Sequence, residues 1–261
     1  MGNPLLLYDN VFDNGVISVT STSSGYDGNN IKDWRGYTYW KAGASGTNYL
    51  TVVCGSARKA DCLGIFGHNL YTANATISIQ ESTDGGTSWV SKKAGFTPTN
   101  DKAILTTFSS YTAARWRVKI ETASTYMPYT AIVCVGKSLQ FNRSLSLSMG
   151  NVSPHTIGIV ADTKRSKTGN LLGNTIRYKP ISINAVMPYD LYSFVSSTFW
   201  SFWRDHGSEL KPFFWALNST AFTEDIFLMR LTQESAYNFP MDSTGNVIGY
   251  SFQMEGVLET T

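Results

Sequence analysis

The densest set of groups able to hold a ligand lies between Gly25 and Trp40, in the run GYDGNNIKDWRGYTYW. Asp27, Asn29 and Asp33 offer hard oxygen donors of the kind calcium takes. Their spacing is not that of an EF-hand, and Asx-rich turns use the same residues to bond their own backbone. A structural calcium is the one cofactor this stretch admits, and no other is expected. Trp34, Tyr37, Tyr39 and Trp40 offer flat faces for sugar rings, with Arg35 and Lys41 as hydrogen-bond donors. The same aromatics would serve equally well as core or interface.

His68, in LGIFGHNL, is the other candidate. A nucleophile and base need a Ser or Cys in reach and an orienting carboxylate, and only Cys62 and Asp61 are near along the chain. That favours a turn or core histidine bonded to its own backbone. His155 and His206 are too scattered to complete a zinc site. Phosphate-cradling loops, dinucleotide motifs and recognisable carboxylate pairs are absent, so no catalytic residue is assigned and no enzyme is expected. A glycosidase stays formally open, because carboxylates can meet in space without meeting in sequence.

Composition narrows the setting. Hydrophobic residues at 42% exclude disorder, while charged residues at 15% leave a surface made largely of Ser, Thr, Asn and Gly. A net charge of +2 gives no field that would steer the chain to nucleic acid or an anionic membrane. The N-terminus lacks a basic segment followed by a long apolar run, and no membrane-length apolar stretch occurs, so neither export nor membrane insertion is expected. Cys54, Cys62 and Cys134 read as buried reduced thiols, with the strands of Cys54 and Cys134 able to lie side by side. The Asn-x-Ser/Thr sites at Asn74, Asn142, Asn151 and Asn218 then read as polar surface.

The elements that must position these residues divide the chain of 261 residues in two. Up to residue 141, short strand patterns alternate with turns, as in a β-sandwich. In ATISIQES, Ile77 and Ile79 alternate with Ser78 and Gln80; Trp116, Val118 and Ile120 repeat the pattern. Asp84-Gly85-Gly86 supplies a tight turn, after which Trp89 returns to the core. Residues 142–175 read as a long connector or contact arm, whose Lys164, Arg165 and Lys167 form a solvated loop or a phosphate contact. Residues 176–261 read as a small antiparallel barrel or sandwich packed by one helix, at about 190–206. Asp190 starts that helix, Gly207 stops it, and Leu191, Phe194, Val195, Thr198, Phe199, Phe202 and Trp203 share its apolar face. In the last strand Ile248, Tyr250, Phe252 and Met254 are expected to point inward.

The first half resembles the discoidin, or galactose-binding-like, jelly-roll modules. LTVVCGSARKADCLGIFG, ISIQESTDGGTSW and ARWRVKI follow that family's order, with Cys54 standing where it usually has an aspartate. The second half, by element order alone, is similar to the tail-tube-like barrel of distal tail proteins of tailed bacteriophages. Together these resemblances imply a structural virion protein of the tail or baseplate, assembled in the host cytoplasm. Its partners would be its own copies in a ring, other tail proteins and host-surface glycan. Assembly would use an aromatic patch around Trp200, Phe213, Phe214 and Trp215, since a small module has little room to bury so many rings. The alternative is a stand-alone carbohydrate-binding module or an accessory domain of a glycan-degrading enzyme.

Overall fold

The structure, a computed structural model, describes residues 3–123, 125–146, 155–218 and 225–259. Its contacts divide the chain into one unit built on Leu5–Gln140 and another built on Phe141–Trp215 and the chain after Phe227. Strands of the first unit are β1 (Leu5–Asn10), β2 (Gly15–Val19), β3 (Trp40–Lys41), β4 (Gly46–His68), β5 (Ala75–Ser82), β6 (Val90–Phe96), β7 (Ile104–Thr122) and β8 (Tyr129–Gln140). One 3-10 turn, Gly28–Lys32, interrupts them.

Strands β4 and β7 are long because each serves two layers. Gly46–Val53 pairs with Arg115–Thr122, a bulge follows, and Arg58–Ile65 then pairs with Ile104–Ala113. A bulge bends a ribbon and strengthens its twist, which lets one strand pass from sheet to sheet. The first ladder is extended by β2 on β4 and by β5 on β7, with β6 beyond. The second is extended by β8, which also carries β1 and β3. Leu50, Val52, Ile77, Ile79, Trp116, Val118 and Ile120 of one layer meet Leu63, Ile65, Val133 and Val135 of the other in a single core. Each such aliphatic side chain contributes about 1.5–3 kcal/mol on burial. The alternation of sequence has thus become the inside and outside of a mainly β sandwich.

Close approach fixes one glycine. Strand β1 bulges between Leu7 and Asp9, and a Cβ on Gly136 would stand 1.7 Å from the Asp9 carbonyl oxygen. The strands that carry Cys54 and Cys134, β4 and β8, lie side by side as expected, although Cys62 rather than Cys54 stands near Cys134. Cys54 lies opposite Gly15, whereas Cys62 and Cys134 occupy neighbouring positions of β4 and β8, opposite Gly136 and Gly64. All three are free and buried, and burial pushes each thiol pKa up.

The second unit contains β9 (His155–Ile157), β10 (Val160–Arg165), β11 (Leu171–Tyr178), β12 (Pro180–Asp190), β13 (Phe213–Ala216), β14 (Ile226–Leu231) and β15 (Val247–Val257). A π-helical stretch, Phe194–Phe199, continues into helix α1, Trp200–Asp205. Among the described residues its strands run in the order β13-β14-β15-β12-β9. The helical segment covers it: the Phe199 ring lies 5.5 Å from Phe252 and 5.9 Å from Tyr250, both on β15. No described helix is long and apolar enough to cross a membrane.

Several expectations need correction here. Residues 155–178 are not a structureless connector: β10 and β11 pair as an antiparallel hairpin, with β11 exposed along its whole length. Exposed strands lack the inside-outside alternation that reveals a strand in sequence. Residues 147–154 of that stretch, Asn151 included, lie outside the described residues. Val195, Phe199, Phe202 and Trp203 are buried, but Leu191 is exposed because it precedes the helix. Asp190 ends β12, and its carboxylate accepts from the Leu191 amide, Asn142 Nδ2 and the Tyr250 hydroxyl. The left-handed residue after the helix is Leu210, φ 55°, not Gly207. Gly249, at φ 58°, shifts the phase of β15 so that Val247 is buried and Ile248 exposed. Asn218 is buried rather than surface.

Candidate functional site

The residues of Gly25–Trp40 do not form one platform. Trp40 is fully buried, its indole N–H donating to the Ser21 carbonyl at 3.0 Å, so it is core and no glycan contact. Trp34 adopts φ 59° and turns its indole N–H to both oxygens of Asp13, at 3.2 and 3.1 Å. Tyr39 stacks on Tyr26, ring centroids 4.8 Å apart, and meets the tilted ring of Tyr129 at 5.1 Å. The hydrogen bond of its hydroxyl to Tyr26, and then burial, raise the Tyr39 hydroxyl pKa. Lys41 Nζ stands 5.7 Å from the Tyr26 ring. Arg35 and Tyr37 point to solvent, Tyr37 with 77% of its surface exposed.

The candidate calcium ligands are occupied in closing turns. Asp27 Oδ1 accepts the Asn29 amide at 2.7 Å and Asn29 Nδ2 at 3.0 Å. Asp33 accepts the Arg35 amide at 2.9 Å and the Thr38 hydroxyl at 2.6 Å. The two carboxylates therefore sit at opposite ends of the 3-10 turn, which fits Asx capping better than a shared cation. Among the described residues no group of three acidic, His or Cys side chains gathers as a metal site.

His68 is fixed by backbone on both sides. Its Nδ1 accepts the Leu70 amide at 3.2 Å, which places the proton on Nε2, and Nε2 donates to the Lys102 carbonyl at 2.8 Å. Burial lowers its pKa to about 4, against a smaller opposing effect of the Lys102 bond and of Asp101, 3.8 Å away. The imidazole is neutral at pH 7, so the Asp101 contact is not an ion pair there. Asp101 instead accepts the Tyr71 and Thr72 amides, at 2.8 and 3.2 Å.

Those bonds reveal a feature that residue types alone did not signal. The loops at one end of the sandwich are tied to one another: Ala42 N–H to the Pro128 carbonyl, Asn69 Nδ2 to the Met127 carbonyl, and Tyr129 N–H to Asn69 Oδ1. His68 and Asp101 join the same network. Gly36 approaches it through Phe66 and Gly67. On these tied loops Tyr71 and Tyr126 are 53% and 60% exposed. Rigid loops on a scaffold that present tyrosines are a common way to contact a partner.

Two further aromatic sites differ from expectation. Trp89 is half-buried outside the core. Its ring lies on the Arg117 guanidinium at 4.1 Å, and Tyr49 covers the same cation at 4.1 Å. The preceding turn is wound on Asp84, whose carboxylate accepts from the Ser88 amide and the Ser88 and Ser82 hydroxyls and is held well below the usual carboxylate pKa by these bonds. In the second unit Phe213, Phe214 and Trp215 are all fully buried, so the expected assembly patch is interior. Phe213 meets Phe202 edge-on at 5.1 Å, and Trp215 meets Phe141 and Phe252. A sheet and a helical segment facing one another provide the room that the small size of this unit had seemed to deny. Of that set Trp200 alone reaches the surface, with 36% exposure.

No protein-family model matches the sequence, and no curated protein matches it. Similar solved structures exist. A chitosan-binding module from a chitosanase/glucanase of Paenibacillus sp. IK-5 is 21% identical, with a TM-score of 0.44, over 50% of this chain and 100% of the module. A carbohydrate-binding module of Clostridium perfringens, solved with GalNAc-beta-1,3-galactose, is 12% identical with a TM-score of 0.43, over 50% of this chain and 100% of its own. A fucosidase of Ruminococcus gnavus, solved with fucose, is 18% identical with a TM-score of 0.43, over 50% of this chain and 27% of its own. These are carbohydrate-binding modules or carbohydrate-active enzymes, and none of the three is a tail protein.

Proposed function

We propose that the first unit is a carbohydrate-contacting module, either acting alone or as the accessory part of a glycan-degrading enzyme, and that it binds rather than catalyses. One observation carries this reading: exposed tyrosines, Tyr71 and Tyr126, on loops held together at one end of the sandwich. The carboxylate among them, Asp101, is committed to backbone amides, which leaves phenol rings as the available surface. Such rings suit the apolar face of a neutral sugar, and their hydroxyls suit its rim.

Chitotriose and GalNAc-beta-1,3-galactose, ligands of two similar modules, are the first probes. Calorimetry of the full chain, preceded by a screen of neutral glycans, should find a ligand whose affinity falls at least about tenfold in Tyr71→Ala plus Tyr126→Ala, equivalent to about 1.4 kcal/mol. The melting temperature should stay unchanged. Undiminished affinity in that variant, or no bound glycan at all, refutes the reading.

A second reading keeps the tail or baseplate role, with the second unit assembling among its own copies. It draws on the β10–β11 hairpin, whose second strand is exposed at every residue. Rings in electron micrographs of the purified chain would support it, and a monomer at all concentrations would end it.

A further inference from the structure

The second unit holds a cavity of about 380 Å³ that opens to solvent. One wall is the helical segment, along which Tyr192, Ser196 and Trp200 follow at intervals of four; the other is the chain from Tyr237 to Met241. The wall includes the π-helical stretch Phe194–Phe199. π-helical turns are rare and cluster at functional sites, because they widen a helix and re-aim its side chains.

The lining combines aromatic surface with uncharged polar groups. Trp200 meets Tyr237 at 4.6 Å, and Tyr237 meets Phe239 at 4.2 Å. The Tyr237 hydroxyl donates to the Val195 carbonyl at 3.1 Å, which holds its ring in place. Tyr192 and Trp200 remain 52% and 36% exposed, so ring surface is accessible from outside. Ser196 and Asn238 add a hydroxyl and a carboxamide to the lining, and among the described lining residues none is charged.

A phosphate-bearing or acidic ligand would find no cation here. An apolar side chain from a partner would cover Ser196 and Asn238 without bonding them, and buried polar groups left unpaired are unfavourable. A sugar ring answers both halves of the lining, since its C–H face stacks on aromatic rings and its hydroxyls bond amide and hydroxyl groups. We propose that this cavity binds a neutral sugar residue, stacked on the Trp200–Tyr237 wall and hydrogen-bonded by Ser196 and Asn238. The site is separate from the loop tyrosines of the first unit and does not depend on their role.

The test uses the full chain with the methyl glycosides of glucose, galactose and N-acetylglucosamine, by saturation-transfer NMR and calorimetry. The expected result is binding of at least one probe that weakens tenfold or more in Trp200→Ala and several-fold in Asn238→Ala. Trp200→Phe should recover part of the loss, and Tyr71→Ala plus Tyr126→Ala should leave this binding intact. Asn238 is exposed, so its variant remains informative even if Trp200→Ala destabilises the unit. Failure of every probe to bind, or binding indifferent to both Trp200→Ala and Asn238→Ala, overturns the proposal. So does a lower sedimentation mass in Trp200→Ala, which would make the cavity a contact between copies.

Discussion

Acid should destabilise the first unit through His68, and the size of the effect follows from its surroundings. The imidazole pKa is about 4 in the fold and near 6.5 when the chain is unfolded. A base whose folded pKa is depressed stabilises the fold fully above pH 6.5, and that contribution drains away as pH falls from 6.5 towards 4. Over this range the unfolded chain takes up a proton that the folded chain refuses. Between pH 7 and pH 5 the loss is on the order of 2 kcal/mol, and by pH 4 about 3 kcal/mol. His68→Gln removes the titration. Its carboxamide nitrogen can still donate to the Lys102 carbonyl, but the acceptor for the Leu70 amide is lost, at a cost of about 1 kcal/mol. The variant is therefore the less stable protein at pH 7 and the more stable one at pH 4.5, the two curves crossing at about pH 5–6 by the same linkage. Urea unfolding at a series of pH values reads the crossing, and NMR titration of the imidazole reads the pKa directly. Parallel stability curves, or an imidazole titrating near 6.5, would refute the argument.

Trp89→Ala should cost only about 1–2 kcal/mol in chemical unfolding, the scale of a cation–π contact, rather than the 3–5 kcal/mol of a core tryptophan. Trp40→Ala, with its buried indole, serves as the comparison at about 3–5 kcal/mol. Gly136→Ala should fail to yield soluble protein, because its methyl meets backbone rather than a movable side chain; normal expression and melting would show that β1 can shift. Under native conditions a thiol reagent such as DTNB should leave Cys62 and Cys134 unmodified, and all three thiols should react in denaturant.

What could be read from sequence depended on whether a segment has two unlike faces. Ile77 and Ile79, or Trp116 and Val118, announce a buried face because polar residues alternate with them, and the structure buries them completely. The helix of the second unit was legible for the same reason, at a different period. Adjacent aromatics were not legible: Tyr37 and Trp40 lie three residues apart, and tertiary pairing alone exposes one and buries the other. Gly249 reversed the phase of a strand at a single left-handed residue, which its alternation could not foretell. The tied loops were also hidden, since Asn69 meets Met127, and Asp101 meets Tyr71, only across gaps of 58 and 30 residues. The backbone bonding of His68 was legible in kind: it meets the Leu70 amide and the Lys102 carbonyl beside the left-handed Gly67.

The β10–β11 hairpin sets where this protein first comes apart. Among the described residues no second layer covers β11, and Leu171, Leu172, Ile176 and Tyr178 are each at least 46% exposed. Two strands without cover are marginally stable in water, so opening this arm requires far less free energy than opening the sandwich core. Its backbone amides should exchange with deuterium long before those of β4 and β7. Lys164 and Arg165 precede its Ser166–Asn170 turn and Lys167 lies within it, which makes the same arm the first point of entry for trypsin. Brief digestion should give two large pieces joined by the remaining fold. An occupant that covers the arm would announce itself by slowing both exchange and cleavage there, whatever it is.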